Sequence, residues 1–487
     1  MIGEMTILIT DYDYVSRIKT MGNLTTKEII EATGGRVIYG NPNNGVFTGV
    51  SIDSRTIREG ELFVALKGQR FDGHNFLFDA LQIGSGAVVS VPPAEPPKGR
   101  IIVYVNNTLK ALQDMAHYVR MKAGITVIGV TGTNGKTTTK EMIASILGMK
   151  HRVMKSSGNL NNHIGVPLSL MGLNEGDEFG VMEMGASIKG DIRQLCEIAQ
   201  PDYGVITNVG PGHLEGFGSL DVVRDTKLEL MDAVKTIALN ADDDFLMEGI
   251  VNRAQRNILT YGIVDDSSVQ QAHDVYARDI ELRDRYSEFK LCLKDGGWIG
   301  VRVNVPGRFN IYNALAAASI CSALGAGLSD IKNGIESFTG IPMRLEFKEL
   351  SGAAVISDVY NANPASMEEA VKELVRQRKG RAIAVLGDML ELGSYAEEAH
   401  RKLGRWMSGL AVDILIAVGP MMSKAAEEFS VKGRQSIIVS DPHEAREVLL
   451  EMCNMGDTVL IKGSRGMKME AVLECPVRIR EGVGDAL

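Results

Sequence analysis

Three kinds of feature are missing from this 487-residue chain, and each absence removes a class of function. There is no excess of positive charge. The 52 Lys and Arg residues face 61 Asp and Glu, a net charge of −9, so no basic face for nucleic acid is expected. There is no paired cysteine pattern. Cys196, Cys292, Cys321, Cys453 and Cys475 are scattered, odd in number and without a C-x-x-C, which points to a reducing compartment and away from a metal–thiolate cluster. There is no apolar run near the roughly 18 residues that span a bilayer. The opening MIGEMTILITDYDYV also lacks the basic region of a signal peptide. A cytoplasmic protein with no transmembrane segment and no nucleic-acid partner is expected. Repeats and low-complexity tracts are absent as well.

What is present is ordinary soluble-protein material, 45% apolar and 23% charged, in a length that suggests about three domains. Residues 1–122 mix strand-like runs (RVIYG, GVFTGVSI, ELFVAL, GAVVSV) with short helical patterns, the texture of a small mixed α/β domain. Over 123–341, apolar strands alternate with amphipathic helices, as in a parallel α/β sheet, with a polar interlude at 264–304 expected to be a small antiparallel insertion. The alternation restarts over 342–487 as a second open α/β unit, Rossmann-like, with Gly340 and Pro342 at the expected hinge.

ITVIGVTGTNGKTTTKEM, residues 125–142, has the strand–loop–helix context of a phosphate loop, although Val130 stands where the generic pattern has glycine. Backbone N–H groups from Gly132 to Thr137 and the helix N-terminus are expected to cradle phosphates, with Lys136 at the γ phosphate and the Thr137 hydroxyl on Mg²⁺. Thr131, Thr133, Asn134, Gly135 and Thr138 complete this ATP-binding stretch. VMEMG ends a strand with Glu183, and VITNVGPGHLEGF offers His213; at the carboxyl ends of parallel strands such groups point into the ligand crevice. Together they suggest a second Mg²⁺, against the plain alternative of a capping glutamate and a loop histidine. Asn159, Asn161 and Asn162 in KSSGNLNNHIG suit phosphate or sugar hydroxyls, or simply an Asn-rich turn. Lys227, in VRDTKLELM, reads from pattern alone as a solvated helix lysine.

TGTNGKTT at 131–138, the Glu183 and His213 positions, LNADDD at 239–244 and PGRFNIYNALAAA at 306–318 resemble the ATP-dependent Mur ligase family. SIDSRTIREGELFVALKGQRFDGHNF (51–76) resembles the UDP-binding amino-terminal domain of its tripeptide-adding and dipeptide-adding branches, and SDVYNANPASM (357–367), VLGDMLELG (385–393) and KGSRGMKME (462–470) are similar to the dipeptide-adding branch. The resemblance implies three domains: an amino-terminal UDP-sugar-binding domain, a central ATPase-type domain and a carboxy-terminal domain for the incoming dipeptide. It implies a monomeric ligase that uses ATP and Mg²⁺ to activate a carboxylate as an acyl phosphate. The implied substrates are UDP-N-acetylmuramoyl-tripeptide and D-alanyl-D-alanine. It also implies roles for residues. Lys136, Glu183, His213 and Lys227 are catalytic, Thr137, Glu183 and His213 hold metal, and a carbamylated Lys227 supports that metal. Asn310, Asn313, Arg344 and Asp358 bind the nucleotide. Ser54, Arg55, Lys67, Gly68, Asp72 and His74 lie in the uridine-nucleotide region, and Asn361, Asn363 and Ser366 meet the dipeptide. Phe309 departs from the family, which commonly has histidine there. The alternatives are another Mur-type ligase and a P-loop nucleotide switch, the latter needing neither the 51–76 segment nor YNANP.

Overall fold

A computed structural model of the chain describes residues 24–68, 71–251, 257–265, 273–431 and 433–474. The opening segment read above for a targeting signal, and Cys475, lie outside the described residues. No helix among the described residues is long and apolar enough to cross a membrane.

The apolar runs become the strands of three main sheets. In the amino-terminal region a five-stranded sheet is ordered Arg36–Tyr39, Ile101–Tyr104, Gly86–Val89, Glu61–Val64, Gly49–Ser51, parallel except for its first pair. The central sheet has nine strands. Thr126–Thr131 lies between Phe179–Glu183 and Tyr203–Ile206, with parallel pairing on both sides. Val153–Lys155 lies beyond the first, and Thr236–Asn240 and Asn257–Ile263 beyond the second. The chain thus winds one way and then the other about Thr126–Thr131, which makes its carboxyl end a topological switch point, the usual place for a ligand crevice. The polar interlude is antiparallel as expected: Val275–Leu282, Ser287–Leu293 and Gly297–Val303 form a meander. It is also part of the central sheet, because Val275–Leu282 pairs in parallel with Asn257–Ile263.

The carboxy-terminal sheet is ordered Glu346–Leu350, Ala353–Asp358, Thr458–Lys462, Ala382–Gly387, Ile414–Val418, Gln435–Val439, parallel but for its first strand. Its four inner strands are almost wholly buried, as continuous apolar runs covered on both faces should be, while the two edge strands are partly exposed. Inserting Thr458–Lys462 between the first and second parallel strands creates a second switch point, at Asp358 and Lys462.

Two compact units result. One runs through Gly210 and resumes over Ser219–Thr339; the other comprises Pro211–Gly218 and the chain from Gly340. Within the first, one apolar core joins amino-terminal residues such as Leu112 and Met115 to Val127, Met182 and Leu230 of the central region. The helix Thr108–Ala123, whose Leu112, Met115, Ala116 and Val119 are buried in that core, therefore bridges the expected boundary at 122.

Candidate active site

Val130 lies inside a buried strand, in register with Glu183 on one side and Val205 on the other. The strand ends at Thr131, whose hydroxyl donates to the Met184 carbonyl at 2.8 Å. The loop proper therefore begins two residues later than the generic pattern suggests, with glycine needed at 132 rather than 130.

Two glycines shape that loop for stated reasons. Gly132 has φ +148°, and a Cβ there would fall 1.8 Å from Thr207 Oγ1. Gly135 has φ +82°, and a Cβ there would fall 2.2 Å from Asn313 Oδ1. The strand end at 207–210 clamps the loop from the side. The Thr133 and Asn134 N–H groups donate to the Asn208 carbonyl and Asn208 Oδ1, both at 3.0 Å. Thr207 Oγ1 donates to the Asn134 carbonyl at 2.6 Å. The helix Lys136–Leu147 follows, with Gly135 at its N-cap and no side-chain cap, so its N-terminal dipole faces the loop. Lys136 Nζ lies over the loop, donating to the Gly132 and Thr133 carbonyls at 2.9 and 3.1 Å. Gly135→Ala, which adds a methyl against Asn313 and forces a left-handed residue, is expected to lose about 1–3 kcal/mol of stability and most ADP affinity. Thermal denaturation with and without ADP checks this.

Glu183 is buried at the neighbouring strand end. Its Oε1 accepts from Asn161 Nδ2 at 2.8 Å, and its N–H donates to Ser156 Oγ at 2.9 Å. Of the asparagine run, then, Asn161 reaches the site. Asn162 instead accepts the N–H groups of Ile164 and Gly165 at the start of a short helix, and Asn159 is exposed. Lys227, on the helix Leu220–Ala233, is only 4% exposed, which overturns the surface reading. Burial, and then the positive charge of Lys136, push its amine down from the usual 10.5 to about 7.

His213 belongs to the Pro211–Gly218 segment of the other unit, in a left-handed conformation at φ 53°. Its Nδ1 contacts the carboxylate of Glu391, from the VLGDMLELG stretch, and holds that carboxyl below its ordinary range. His213 thus belongs to a different compact unit from Thr137, Glu183 and Lys227.

Among the described residues no group of three or more His, Cys, Asp or Glu converges on a metal position. The Thr137 hydroxyl and the Glu183 carboxylate are hard oxygen donors, too few for an all-protein cage. That donor set fits Mg²⁺, which keeps waters and shares substrate phosphates.

Asn310 and Asn313 lie buried on the helix Arg308–Ala323. Asn310 Nδ2 donates to the Pro306 carbonyl at 2.7 Å, and Asn313 Nδ2 to Asn310 Oδ1 at 3.2 Å. Asn313 thereby braces Gly135 of the loop. The Phe309 ring packs beside Gly307.

In the carboxy-terminal unit Asp358 and Lys462 are register partners, and Lys462 Nζ donates to Asp358 Oδ2 at 2.6 Å and to the Asn361 carbonyl at 2.8 Å. Lys462 is 2% exposed, and sequence reading missed it as a site residue. Arg344 stacks on Tyr360 at 4.2 Å. Asn361 Oδ1 accepts the Ala362 N–H at 2.9 Å. Asn363 and Ser366 form a capping box at the start of the helix Pro364–Gln377, so their facing atoms secure a helix end. In the amino-terminal region, Lys67 and Asp72 form an antiparallel bridge, and the Gly68 N–H donates to the Phe71 carbonyl at 2.9 Å. Asp72 Oδ1 meets His74 Nδ1 at 2.6 Å, and His74 Nε2 accepts the Ser90 N–H at 3.0 Å. Arg55, beside the partly exposed Ser54, forks onto Asp53 at 2.9 and 2.7 Å.

Three family profiles cover most of the chain: "Mur ligase family, catalytic domain" at 46–120, "Mur ligase middle domain" at 130–321 and "Mur ligase, glutamate ligase domain" at 343–465. The UDP-N-acetylmuramoyl-tripeptide–D-alanyl-D-alanine ligase of Bacillus subtilis is 35% identical over 92% of this chain and 97% of its own length. The Escherichia coli enzyme of that name is 33% identical over 87% and 92%. Among solved structures, MurF from Acinetobacter baumannii matches with a TM-score of 0.85 at 32% identity, over 93% of this chain and 98% of that one. MurF from Thermotoga maritima in complex with ADP matches with a TM-score of 0.75 at 30% identity, over 87% and 96%. With a phosphate loop set at the switch point of its central sheet and relatives this similar over nearly their whole length, the chain belongs to the Mur ligase family.

Proposed function

We propose that the chain joins D-alanyl-D-alanine to UDP-N-acetylmuramoyl-tripeptide while converting ATP to ADP and phosphate. The observation that carries this is the 35% identity, over 97% of its length, to a ligase of that name. The reaction makes an amide from a carboxylate and an amine, neither of which reacts unaided. A carboxylate oxygen attacks the γ phosphorus of ATP and ADP departs. The acyl phosphate is then attacked by the dipeptide amine, which loses a proton as phosphate leaves.

The residues described supply what the first step needs. Backbone N–H groups of the loop and the N-terminus of Lys136–Leu147 hold the triphosphate, and Lys136 Nζ stands within reach of its end. Asn208 and Asn313 keep the loop in shape, and Asn161 and Ser156 hold Glu183. Mg²⁺, when held by the Thr137 hydroxyl and Glu183, neutralises the crowding of the carboxylate against the triphosphate. The cleft must stay dry, because the acyl phosphate hydrolyses in water.

The uridine nucleotide is assigned to Ser54, Arg55, Lys67, Gly68, Asp72 and His74 of the amino-terminal region. The dipeptide is assigned to the carboxy-terminal unit, beside Asn361 and the Asn363–Ser366 cap. There a cavity of about 210 Å³ is lined by Pro364, Ala365, Glu368 and Lys402. It is below the roughly 300 Å³ at which drug-sized ligands begin, and its opposite charges suit the two ends of a zwitterionic dipeptide. We further propose a cytoplasmic monomer.

The deciding assay measures phosphate release with UDP-N-acetylmuramoyl-tripeptide, with and without D-alanyl-D-alanine, and the mass of the product. Phosphate is expected only with both substrates, together with the mass of the pentapeptide product. Phosphate released from ATP alone would favour the nucleotide switch.

A further inference from the structure

Lys140 is 0% exposed, one helical turn beyond Thr137 on the phosphate-loop helix. A buried ammonium is costly unless its charge is answered. Three oxygens lie near its Nζ: the Ser156 carbonyl at 2.7 Å, Glu141 Oε1 at 3.3 Å and Glu183 Oε2 at 4.0 Å. Glu141 is also engaged by Lys155, so it is answered without Lys140. Glu183, 3% exposed, has Lys140 as its cationic neighbour. Ser156 ties the two together, since its carbonyl receives Lys140 while its hydroxyl accepts the Glu183 N–H at 2.9 Å. Residues 137 and 140 share a helix face, so one rigid turn links the Thr137 hydroxyl to the group that faces Glu183.

We infer that Lys140 is a positioning residue: with Ser156 it fixes the Glu183 carboxylate, in orientation and charge, relative to Thr137, and so tunes how the site takes a divalent cation with nucleotide. The inference rests on the reading that Glu183 is a metal ligand.

A double-mutant cycle tests it, with Mn²⁺ as the probe, bound in the presence of ADP and followed by electron paramagnetic resonance on the full chain. Glu183→Gln should weaken Mn²⁺ binding. Lys140→Met should weaken it by about 10–100-fold, the usual effect of losing a partner behind a metal ligand. In the Glu183→Gln background, Lys140→Met should change it little. If Lys140→Met costs the same in both backgrounds, Lys140 is scaffold alone and the inference falls. If Glu183→Gln leaves Mn²⁺ binding unchanged, the ligand reading itself is wrong and the inference goes with it. Should Lys140→Met fail to fold, thermal denaturation of the charge-neutral double variant decides. Recovery of folding supports the pairing, and continued failure overturns it.

Discussion

Lys136→Ala is expected to lower turnover by roughly 10²–10³-fold or more, the effect of removing one preorganised electrostatic group from a charge-building step. The folded chain should tolerate the change well. The Lys136 ammonium bonds to two carbonyls of its own loop, and the glycine conformations and the Asn208 and Asn313 contacts that shape that loop do not depend on it. A large fall in turnover with an unchanged melting temperature is therefore the diagnostic pair of results. Near-normal turnover would remove the loop from the chemistry. A second effect should accompany the first: Lys136 helps depress the Lys227 amine, so its removal should let that amine titrate higher.

Lys227 gives the other large effect. Its folded pKa of about 7 lies below the ordinary 10.5, chiefly through burial. Between those values the unfolded chain binds more protons than the folded one, so Lys227 makes stability rise with pH across that window. Below about pH 7 its penalty is complete. Lys227→Met should flatten the rise and leave the fold more stable in mild acid, as read by denaturant titration at several pH values. The same depression leaves about half the amines neutral near pH 7, the form that adds CO₂. If the amine is carbamylated, Lys227→Ala should lose roughly 10–100-fold in activity, as for loss of a metal's supporting group, and short carboxylates should restore part of it. Full activity without rescue would reduce Lys227 to a buried structural lysine.

The phosphate loop was readable because its constraints are local: a short apolar strand, glycines at turns and a lysine at a helix start. Glu183 was readable because strand ends are visible as the limit of an apolar run. The lysines were not. KTTTKEM and DTKLELM each place a lysine beside acidic neighbours, the pattern of a solvated helix face, and only the tertiary fold buries Lys140 and Lys227. Lys462 closes a buried strand, and the partner that explains it, Asp358, is 104 positions away. Asn363 and Ser366 show the opposite case. N-P-A-S carries a helix-start signature, with proline at the first helical position, that could have been taken at face value.

The packing of Pro211–Gly218 with the later part of the chain has a consequence for dissection. The backbone passes from one unit to the other three times, at 210–211, 218–219 and 339–340. A single cut near 340 therefore does not yield two self-sufficient pieces. The leading fragment keeps a loop whose packing surface has been removed, and the trailing one leaves Glu391 without His213. The two units are consecutive along most of the sequence, yet they are stitched rather than strung.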